Sequence, residues 1–213
     1  MQRTIGTFTF ERLTEGMLSS NTYILWDETK EAAIIDAGNS YETVNEVVNA
    51  NNLKVKYIII THAHYDHILC LDEIREKYKD AKVICHEEEN TSFGKPHKNA
   101  SVLFGSPKTY EKADLTVKDN DILYLGSSQI SIILTPGHTE GSICILAGKF
   151  LFTGDTLFYR GYGRTDLGGG NPGDMEASLA RLYKMDPDLI VLPGHATTST
   201  IGDERKNNPY MGD

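Results

Sequence analysis

Four side chains able to bind metal ions or move protons stand close together in the chain. They are His62, His64, Asp66 and His67, and they directly follow an apolar stretch, residues 55–60, that is typical of a buried strand. Imidazole and carboxylate groups are ligands that zinc, iron and manganese prefer, and four in one turn suffice for more than one ion. The competing interpretation is a solvated polar turn, in which the imidazoles would repel one another on protonation. We therefore expect a metal site here.

Three more candidate ligands lie farther along the chain at the same kind of position. His138, Asp155 and His195 each come just after an apolar strand-like stretch, and a glycine immediately precedes each one. The glycine permits a tight turn, and strands of one sheet can bring such ends together. Taken singly, each residue fits a structural hydrogen bond as well as a metal bond. With the first four they divide into two metal sites that share one carboxylate, and two ions roughly 3.5–4 Å apart can together deprotonate a water at neutral pH.

The elements that must position these residues are short strands mixed with a few helices. Helical spacing and capping residues predict helices after Ser40, over residues 68–78, over residues 87–93 and from Asn171, and the acidic residues 87–89 are interpreted as a solvated helix start. Strands are expected at or near residues 5–10, 23–26, 32–35, 55–60, 82–85, 122–125, 130–134, 142–146, 150–153 and 189–192. This mixture favours sheets covered by helices, in one domain over residues 1–213.

The composition is that of an acidic globular protein. The chain has 213 residues, of which 39% are hydrophobic and 24% charged, with a formal net charge of −9. These values exclude a disordered chain, and the acidic charge argues against nucleic-acid binding because it repels phosphates. No apolar run is long enough to span a membrane, the first residues do not resemble a signal peptide, and the three cysteines do not indicate a disulfide framework. We therefore expect a cytoplasmic protein with neither a membrane nor a nucleic-acid partner.

The ligand-rich segments resemble the metallo-β-lactamase superfamily in every ligand position and in order. The resemblance rests on the segment Thr61-His62-Ala63-His64-Tyr65-Asp66-His67 and on the pairs Gly137-His138, Gly154-Asp155 and Gly194-His195. Residues 154–158, 163–166 and 201–205 are similar to the glyoxalase II branch, particularly its short single-domain members. The resemblance extends over nearly the whole chain.

This resemblance implies a fold, a pair of metal ions and a reaction. The implied fold is of the α/β class, a four-layer αβ/βα sandwich of two mixed sheets flanked by helices. Zinc is the expected metal, and iron or manganese would also suit the ligands. A hydroxide bridging the two ions would attack the carbonyl of a thioester of the S-2-hydroxyacylglutathione type. The implied ligands of the first ion are His62, His64 and His138. Those of the second ion are Asp66, His67 and His195, and Asp155 is implied to bridge both.

Catalytic and substrate-binding roles also follow from the resemblance. Catalytic roles are implied for His62, His64 and Asp66, of which Asp66 also orients the hydroxide. Full-length glyoxalase II has a helical C-terminal domain with basic glutathione contacts, and we expect no such domain in this chain. The candidate substrate contacts are Arg164 at a basic contact position, Arg205 and Lys206 as replacements for others, and Asp166 and Thr197 where glyoxalase II has tyrosines.

Other reactions share this constellation of residues. Persulfide dioxygenases, which are sulfur oxidoreductases with a single non-haem iron, share the fold, the segment 163–166 and counterparts of His62, His138 and Asp155. Against that alternative, residues 193–198 are more similar to the short hydrolases. Hydrolysis of another small ester or lactone would use the same metals, and a metal-binding protein without turnover is a further interpretation. The leading hypothesis is hydrolysis of a small-molecule thioester.

Overall fold

Two mixed β-sheets face each other in the computed structural model, which describes residues 2–212. In the first sheet the strands follow one another in chain order. The first four are antiparallel neighbours, and the fourth to the seventh are parallel. The strands are β1 (Gln2–Ile5), β2 (Phe8–Leu13), β3 (Thr22–Asp27), β4 (Glu31–Ile35), β5 (Lys54–Ile59), β6 (Lys82–His86) and β7 (Leu115–Val117).

The second half of the chain forms the second sheet and a small hairpin. Its strands are β8 (Ile122–Leu125), β9 (Ser128–Leu134), β10 (Ile143–Ala147), β11 (Phe150–Gly154), β12 (Leu157–Phe158), β13 (Gly161–Tyr162), β14 (Ile190–Pro193) and β15 (Ser199–Thr200). The order across the sheet is β15-β14-β11-β10-β9-β8, and β12 pairs with β13 alone. In this sheet β11 and β14 are parallel, and the other neighbours are antiparallel.

Helices cover the outer face of each sheet. They are α1 (Tyr41–Ala50), α2 (Tyr65–Ile68), α3 (Leu71–Lys77), α4 (Pro172–Tyr183) and α5 (Ile201–Asn207). The first three pack on the first sheet, and the last two pack on the second. As predicted, the side chain of Ser40 caps α1 and that of Asn171 caps α4 by accepting backbone N–H bonds. Within residues 2–212, no helix has the length and apolar character needed to cross a membrane.

Alternation of side chains along each strand builds the layers. In β3, Ile24 and Trp26 belong to the apolar cluster beneath α1 and α3, whereas Tyr23 and Leu25 belong to the cluster between the two sheets. This follows from the period of two, which sends successive side chains to opposite faces. Phe150 and Leu151 of β11 divide in the same way between the inner cluster and the one beneath α4. The four-layer sandwich implied by the resemblance to the metallo-β-lactamase superfamily is therefore confirmed.

The helix predictions were wrong in three places. The helix expected over residues 68–78 is two helices, α2 and α3, and α2 begins at Tyr65 inside the ligand-rich segment, with His64 as its N-cap residue. The helix expected over residues 87–93 is only a 3-10 turn, Glu89–Thr91. Helix α5 was not predicted from periodicity, because it has only seven residues; its clearest sequence signal is Thr200, whose side chain caps it.

Candidate metal centre

Four strand ends meet at one edge of the sandwich and carry the predicted ligands. β5 leads into residues 62–67, and β9, β11 and β14 lead into His138, Asp155 and His195. β9, β11 and β14 run in one direction, so their carboxyl ends lie together. Gly194 lets the end of β14 approach Asp155, because a side chain at this position would collide with the Asp155 carboxylate.

The first three ligands form a group of imidazoles that we call the histidine group: His62, His64 and His138. These residues are 0%, 4% and 3% exposed. Nδ1 of His64 lies 2.7 Å from Nε2 of His138, and the ring centres of His62 and His138 are 4.6 Å apart. One nitrogen of each ring lies within 4.8 Å of the other two, which is close enough for all three to bind a single ion.

The next three ligands form what we call the mixed group: Asp66, His67 and His195. Nε2 of His195 lies 3.1 Å from Oδ2 of Asp66 and 3.1 Å from Nε2 of His67. Nε2 of His67 lies 3.5 Å from the same Asp66 oxygen. These atoms also converge on one point, so the group offers a second set of three ligand atoms.

Asp155 lies between the two groups. Its Oδ2 is 3.5 Å from Nε2 of His138, and its Oδ1 is 3.4 Å from Nε2 of His67. The structure thus brings together all seven residues that the sequence indicated, with the carboxylate in the position of a shared ligand.

Several of the histidines are oriented by hydrogen bonds at the nitrogen that faces away from the centre. Nδ1 of His67 donates to Oδ2 of Asp36 at 2.9 Å, and Nδ1 of His138 donates to the carbonyl oxygen of Arg164 at 2.7 Å. These bonds fix the ring orientation and leave Nε2 of each ring facing the centre.

Unsatisfied polar atoms show that the centre suits a metal ion. Nε2 of His62, Nε2 of His64 and Oδ1 of Asp155 are buried and have no hydrogen-bond partner. Buried polar atoms without a partner are costly and uncommon in folded proteins, so their concentration here requires a ligand. Nitrogen and carboxylate oxygen are the donors that divalent zinc, iron and manganese prefer, so the residues present fit such ions.

The electrostatic state of the two groups differs. Burial lowers the pKa of the imidazoles in the histidine group, to about 3 for His64, so they are neutral and able to bind a cation. Burial also acts to lower the pKa of His67 and His195, but the carboxylates of Asp66 and Asp155 outweigh it and hold both pKa values above the usual range. The mixed group is therefore a network of ion pairs when no metal is bound.

Two buried carboxylates that the sequence analysis missed hold the ligand turns in place. The first, Asp36, follows β4 just as the ligand segment follows the neighbouring parallel strand β5. It accepts hydrogen bonds from the backbone N–H and the hydroxyl of Thr61, both at 2.8 Å, as well as from His67. Its place after a strand parallel to β5 was the available signal.

The second carboxylate, Glu89, corrects the prediction of a solvated acidic face at one of its three residues, since Glu87 and Glu88 are exposed as expected. Glu89 is only 1% exposed. It accepts hydrogen bonds from the N–H of Ala63 at 2.8 Å, from the hydroxyl of Thr139 at 2.8 Å and from the N–H of Gly141 at 3.2 Å. Burial raises its pKa, an effect that these three donors oppose. Glu89 thus ties the turn between His62 and His64 to the turn that follows His138.

Known proteins similar to this chain include metal-dependent hydrolases, in agreement with a metal centre. A family model described as the metallo-beta-lactamase superfamily matches residues 16–195. The chain belongs to this superfamily. The probable metallo-hydrolase YqgX of Bacillus subtilis is 32% identical over 206 residues, which cover 95% of this chain and 97% of that protein. The hydroxyacylglutathione hydrolase GloC of Haemophilus influenzae is 30% identical over 196 residues, which cover 90% of this chain and 92% of that protein.

Solved structures of the superfamily share the fold. The crystal structure of BLEG-1 B3 metallo-beta-lactamase superposes with a TM-score of 0.89 at 33% identity, covering 96% of this chain and all 100% of its own. The di-iron-bound form of TTHA1623 has a TM-score of 0.83 at 27% identity, covering 94% and 99%. Together with the histidine and carboxylate cluster, membership of the metallo-beta-lactamase superfamily indicates a divalent-metal site in this chain.

A pocket of about 230 Å³ opens onto the ligands of this superfamily member. Its floor contains members of both ligand groups and Asp155, and its walls are mainly apolar. The floor residues are His64, Asp66, His138, Asp155 and His195, and the wall residues are Leu18, Ala100, Leu103, Phe104, Phe158, Arg164 and Leu167.

Two of the five predicted substrate contacts lie at this pocket. Arg164 is part of the wall. Asp166 lies beside it, because Nε and Nη2 of Arg164 donate to the two oxygens of Asp166 at 2.7 and 2.8 Å. The third, Thr197, is an exposed residue two positions after His195 and is not part of the wall.

Arg205 and Lys206 are placed elsewhere. They line a separate depression together with Pro187 and Asp188. The guanidinium of Arg205 lies 5.1 Å from the centre of the Tyr183 ring. Both residues belong to α5, which packs on the outside of the second sheet, so the structure does not bring them to the ligands.

Proposed function

We propose that this protein is a hydrolase that uses two divalent metal ions to cleave thioesters. The observation that carries the proposal is the position of Asp155, whose two oxygens face His138 of the histidine group and His67 of the mixed group. A carboxylate so placed suits a ligand shared by two ions. The likeness to GloC, which is named a hydroxyacylglutathione hydrolase, directs the proposal to thioesters.

In this proposal each ligand group holds one ion. The histidine group would hold the first, the mixed group would hold the second, and Asp155 would be a ligand available to both. Zinc is the metal we expect; iron and manganese suit the same donors, and the similar structure of TTHA1623 is a di-iron form. When bound, two such ions supply a nucleophile from water at neutral pH and polarise the substrate carbonyl.

The protein's own groups have defined tasks in this reaction. Burial acts to raise the pKa of Asp66, but the imidazoles of His67 and His195 outweigh it and lower the pKa, which keeps the carboxylate ionised. An ionised Asp66 at the pocket floor can accept a hydrogen bond from the attacking water and orient it. His62 and His64 act as fixed ligands, because Glu89 holds the Ala63 N–H between them.

The test is hydrolysis of S-D-lactoylglutathione by protein loaded separately with zinc, iron and manganese. We expect release of free thiol with at least one metal, and a loss on the order of 10³-fold in the His62→Ala variant. The matched control is His97→Ala, which removes an exposed imidazole outside the ligand groups. The control is expected to retain both its metal content and its activity.

Other outcomes would replace the proposal. Oxygen uptake with a glutathione persulfide, lost in His62→Ala, would assign the dioxygenase reaction instead. Cleavage of a lactone or a chromogenic β-lactam while every thioester stays intact would keep the hydrolase and change its substrate. Protein that carries two metal ions yet leaves thioesters, esters and lactams unchanged would contradict the proposed hydrolysis.

A further inference from the structure

The pocket above the ligands has an apolar wall built from segments that are far apart in the chain. Leu18 precedes β3, Leu103 and Phe104 lie in the turn Ser101–Phe104, and Phe158 ends β12. Leu18 and Leu103 are 64% and 61% exposed. Large apolar side chains this exposed, gathered at one site, mark a surface that binds an apolar partner.

The backbone beneath this wall is held in uncommon conformations. Leu18 has φ 54° and ψ 22°, and the turn that carries Leu103 begins after Ala100, which has φ 60°. Non-glycine residues in the left-handed region cost free energy and are concentrated at ligand-binding sites. The fold thus keeps Leu18 exposed against backbone preference, and it carries Leu103 in a turn that a left-handed residue introduces.

The wall is joined directly to the ligands. The carbonyl oxygen of Leu18 accepts a hydrogen bond from Nδ1 of His195 at 3.3 Å. The ring of Phe158 packs edge-on against that of His195, with centres 5.9 Å apart. The wall therefore adjoins the place where a molecule would react at the metal centre.

The low charge of the pocket wall also favours an apolar substrate group. Arg164 is the one Lys or Arg residue among those that line it, and its guanidinium is neutralised by the paired carboxylate of Asp166. The other residues of the wall carry no charge. The wall therefore offers little attraction to a carboxylate-bearing chain and much to a hydrocarbon.

We propose that the pocket selects thioesters whose acyl part is a short hydrocarbon chain, which lies against Leu18, Leu103 and Phe104. This inference rests on the proposed thioester hydrolysis and names its substrate class. With about 230 Å³ of space, below the roughly 300 Å³ at which pockets for drug-sized ligands begin, the pocket suits a chain of a few carbons.

The experiment measures kcat/KM for a series of acyl groups on one neutral thiol, N-acetylcysteamine. The series is acetyl, butanoyl and hexanoyl, with D-lactoyl and succinyl as polar and anionic members. We expect kcat/KM to rise about fourfold for each added CH₂ group until the chain outgrows the pocket, which corresponds to the transfer of a methylene out of water. Lactoyl and succinyl should be the poorest substrates relative to their length.

Two variants test whether the wall causes the preference. Leu18→Ser and Leu103→Ser should each reduce the rise per CH₂ group to about twofold or less. Leu115→Ser is the matched control, because Leu115 is a leucine 48% exposed on the edge strand β7, away from the pocket. The control should keep the wild-type chain-length profile.

The same acyl series on p-nitrophenol separates the two proposals. Thioesters hydrolysed at rates independent of chain length, or a preference unchanged in both wall variants, would overturn the inference and leave thioester hydrolysis standing. Intact thioesters with p-nitrophenyl esters cleaved in the expected order would overturn the thioester proposal and leave standing the preference of the wall for hydrocarbon acyl chains. No cleavage of either series would overturn both. A dimer that Leu103→Ser dissociates, with the chain-length profile unchanged, would assign the wall to a second copy of the chain.

Discussion

The histidine group and the mixed group lie side by side, yet they are enclosed differently. The residues of the histidine group are at most 4% exposed, whereas the side chain of His195 in the mixed group is 21% exposed. Each group depends on a buried carboxylate that follows a strand of the first sheet, Glu89 after β6 and Asp36 after β4. A buried carboxylate after a strand next to β5 thus supports a closed site on one side of β5 and an open site on the other.

The two groups also differ in the cost of binding a cation. The histidine group consists of neutral imidazoles with unsatisfied nitrogens, so a metal ion displaces there a contact between two neutral rings, that of Nδ1 of His64 with Nε2 of His138. In the mixed group the ion must displace contacts between His195, His67 and the carboxylate of Asp66. We therefore expect the histidine group to hold its ion more tightly than the mixed group.

The largest expected effect comes from removing one imidazole from each group. His138→Ala should lose the first ion and lower kcat/KM by on the order of 10³-fold or more, because His138 also faces the shared Asp155. His195→Ala should lose the second ion, keep the first and lower kcat/KM by about 10²-fold. Metal equivalents after dialysis against a chelator, measured beside the rates, check this order. A His195→Ala protein that loses both ions would show that the two groups bind cooperatively, and the contrast between them would fail.

An intermediate effect is expected from the two carboxylates that hold the ligand turns. Glu89→Gln should weaken metal binding at the histidine group about 10- to 100-fold, and Asp36→Asn should do the same at the mixed group, the usual cost of disturbing groups that orient metal ligands. Competition with a fluorescent chelator measures each affinity. The matched control is Glu88→Gln, an exposed neighbour of Glu89 that should leave both affinities unchanged.

The assignment of Glu89 to the histidine group and of Asp36 to the mixed group would be contradicted if each variant weakened metal binding at the other group. If Glu89→Gln weakened the mixed group and spared the histidine group, the hydrogen bonds of Glu89 to Ala63 and Thr139 would not be what positions His62, His64 and His138.

The difference between ligands and their supports also shows what the sequence could reveal. The seven ligands were predictable, because reactive residue types directly after apolar strands form a pattern along the chain itself. Sheets covered by helices were predictable too, because alternation in strands such as β3 assigns side chains to layers, whereas the four-layer arrangement was implied by the resemblance to the superfamily. Glu89 was not predictable, because an acidic run is usually solvated and only the approach of Thr139 and Gly141 from the other sheet shows that it is buried.

The substrate side of the site was less predictable for a related reason. The apolar wall combines Leu18, Leu103 and Phe158, which no local pattern connects, and two of them are exposed in turns that have no periodicity. Arg205 and Lys206 were chosen for their charge, but they belong to α5 on the outer face of the second sheet. Pairing between distant turns is a tertiary property, and a single sequence carries no direct signal for it.

The smallest expected effect comes from single hydroxyl groups on either side of the centre. Thr139→Val keeps the shape of the side chain and removes one of the three donors to Glu89, so the free energy of unfolding should fall by about 1 kcal/mol. Ser20→Ala removes the hydroxyl that donates to the backbone oxygen of Asp66 at 2.9 Å, with a similar expected loss. Denaturant unfolding of the metal-free variants measures both.

The two hydroxyl variants should differ in which of the two metal ions they bind less tightly. The N–H groups of Ala63 and Gly141 still hold Glu89 in the Thr139→Val variant. Thr139→Val should therefore lower the affinity for the first ion only a few-fold and leave the affinity for the second unchanged. Ser20→Ala should show the reverse, because it acts on the turn that carries Asp66. Equal weakening of both ions in either variant would mean that the ligand turns move as one body, in which case the closed and open groups differ in exposure but not in mechanical support.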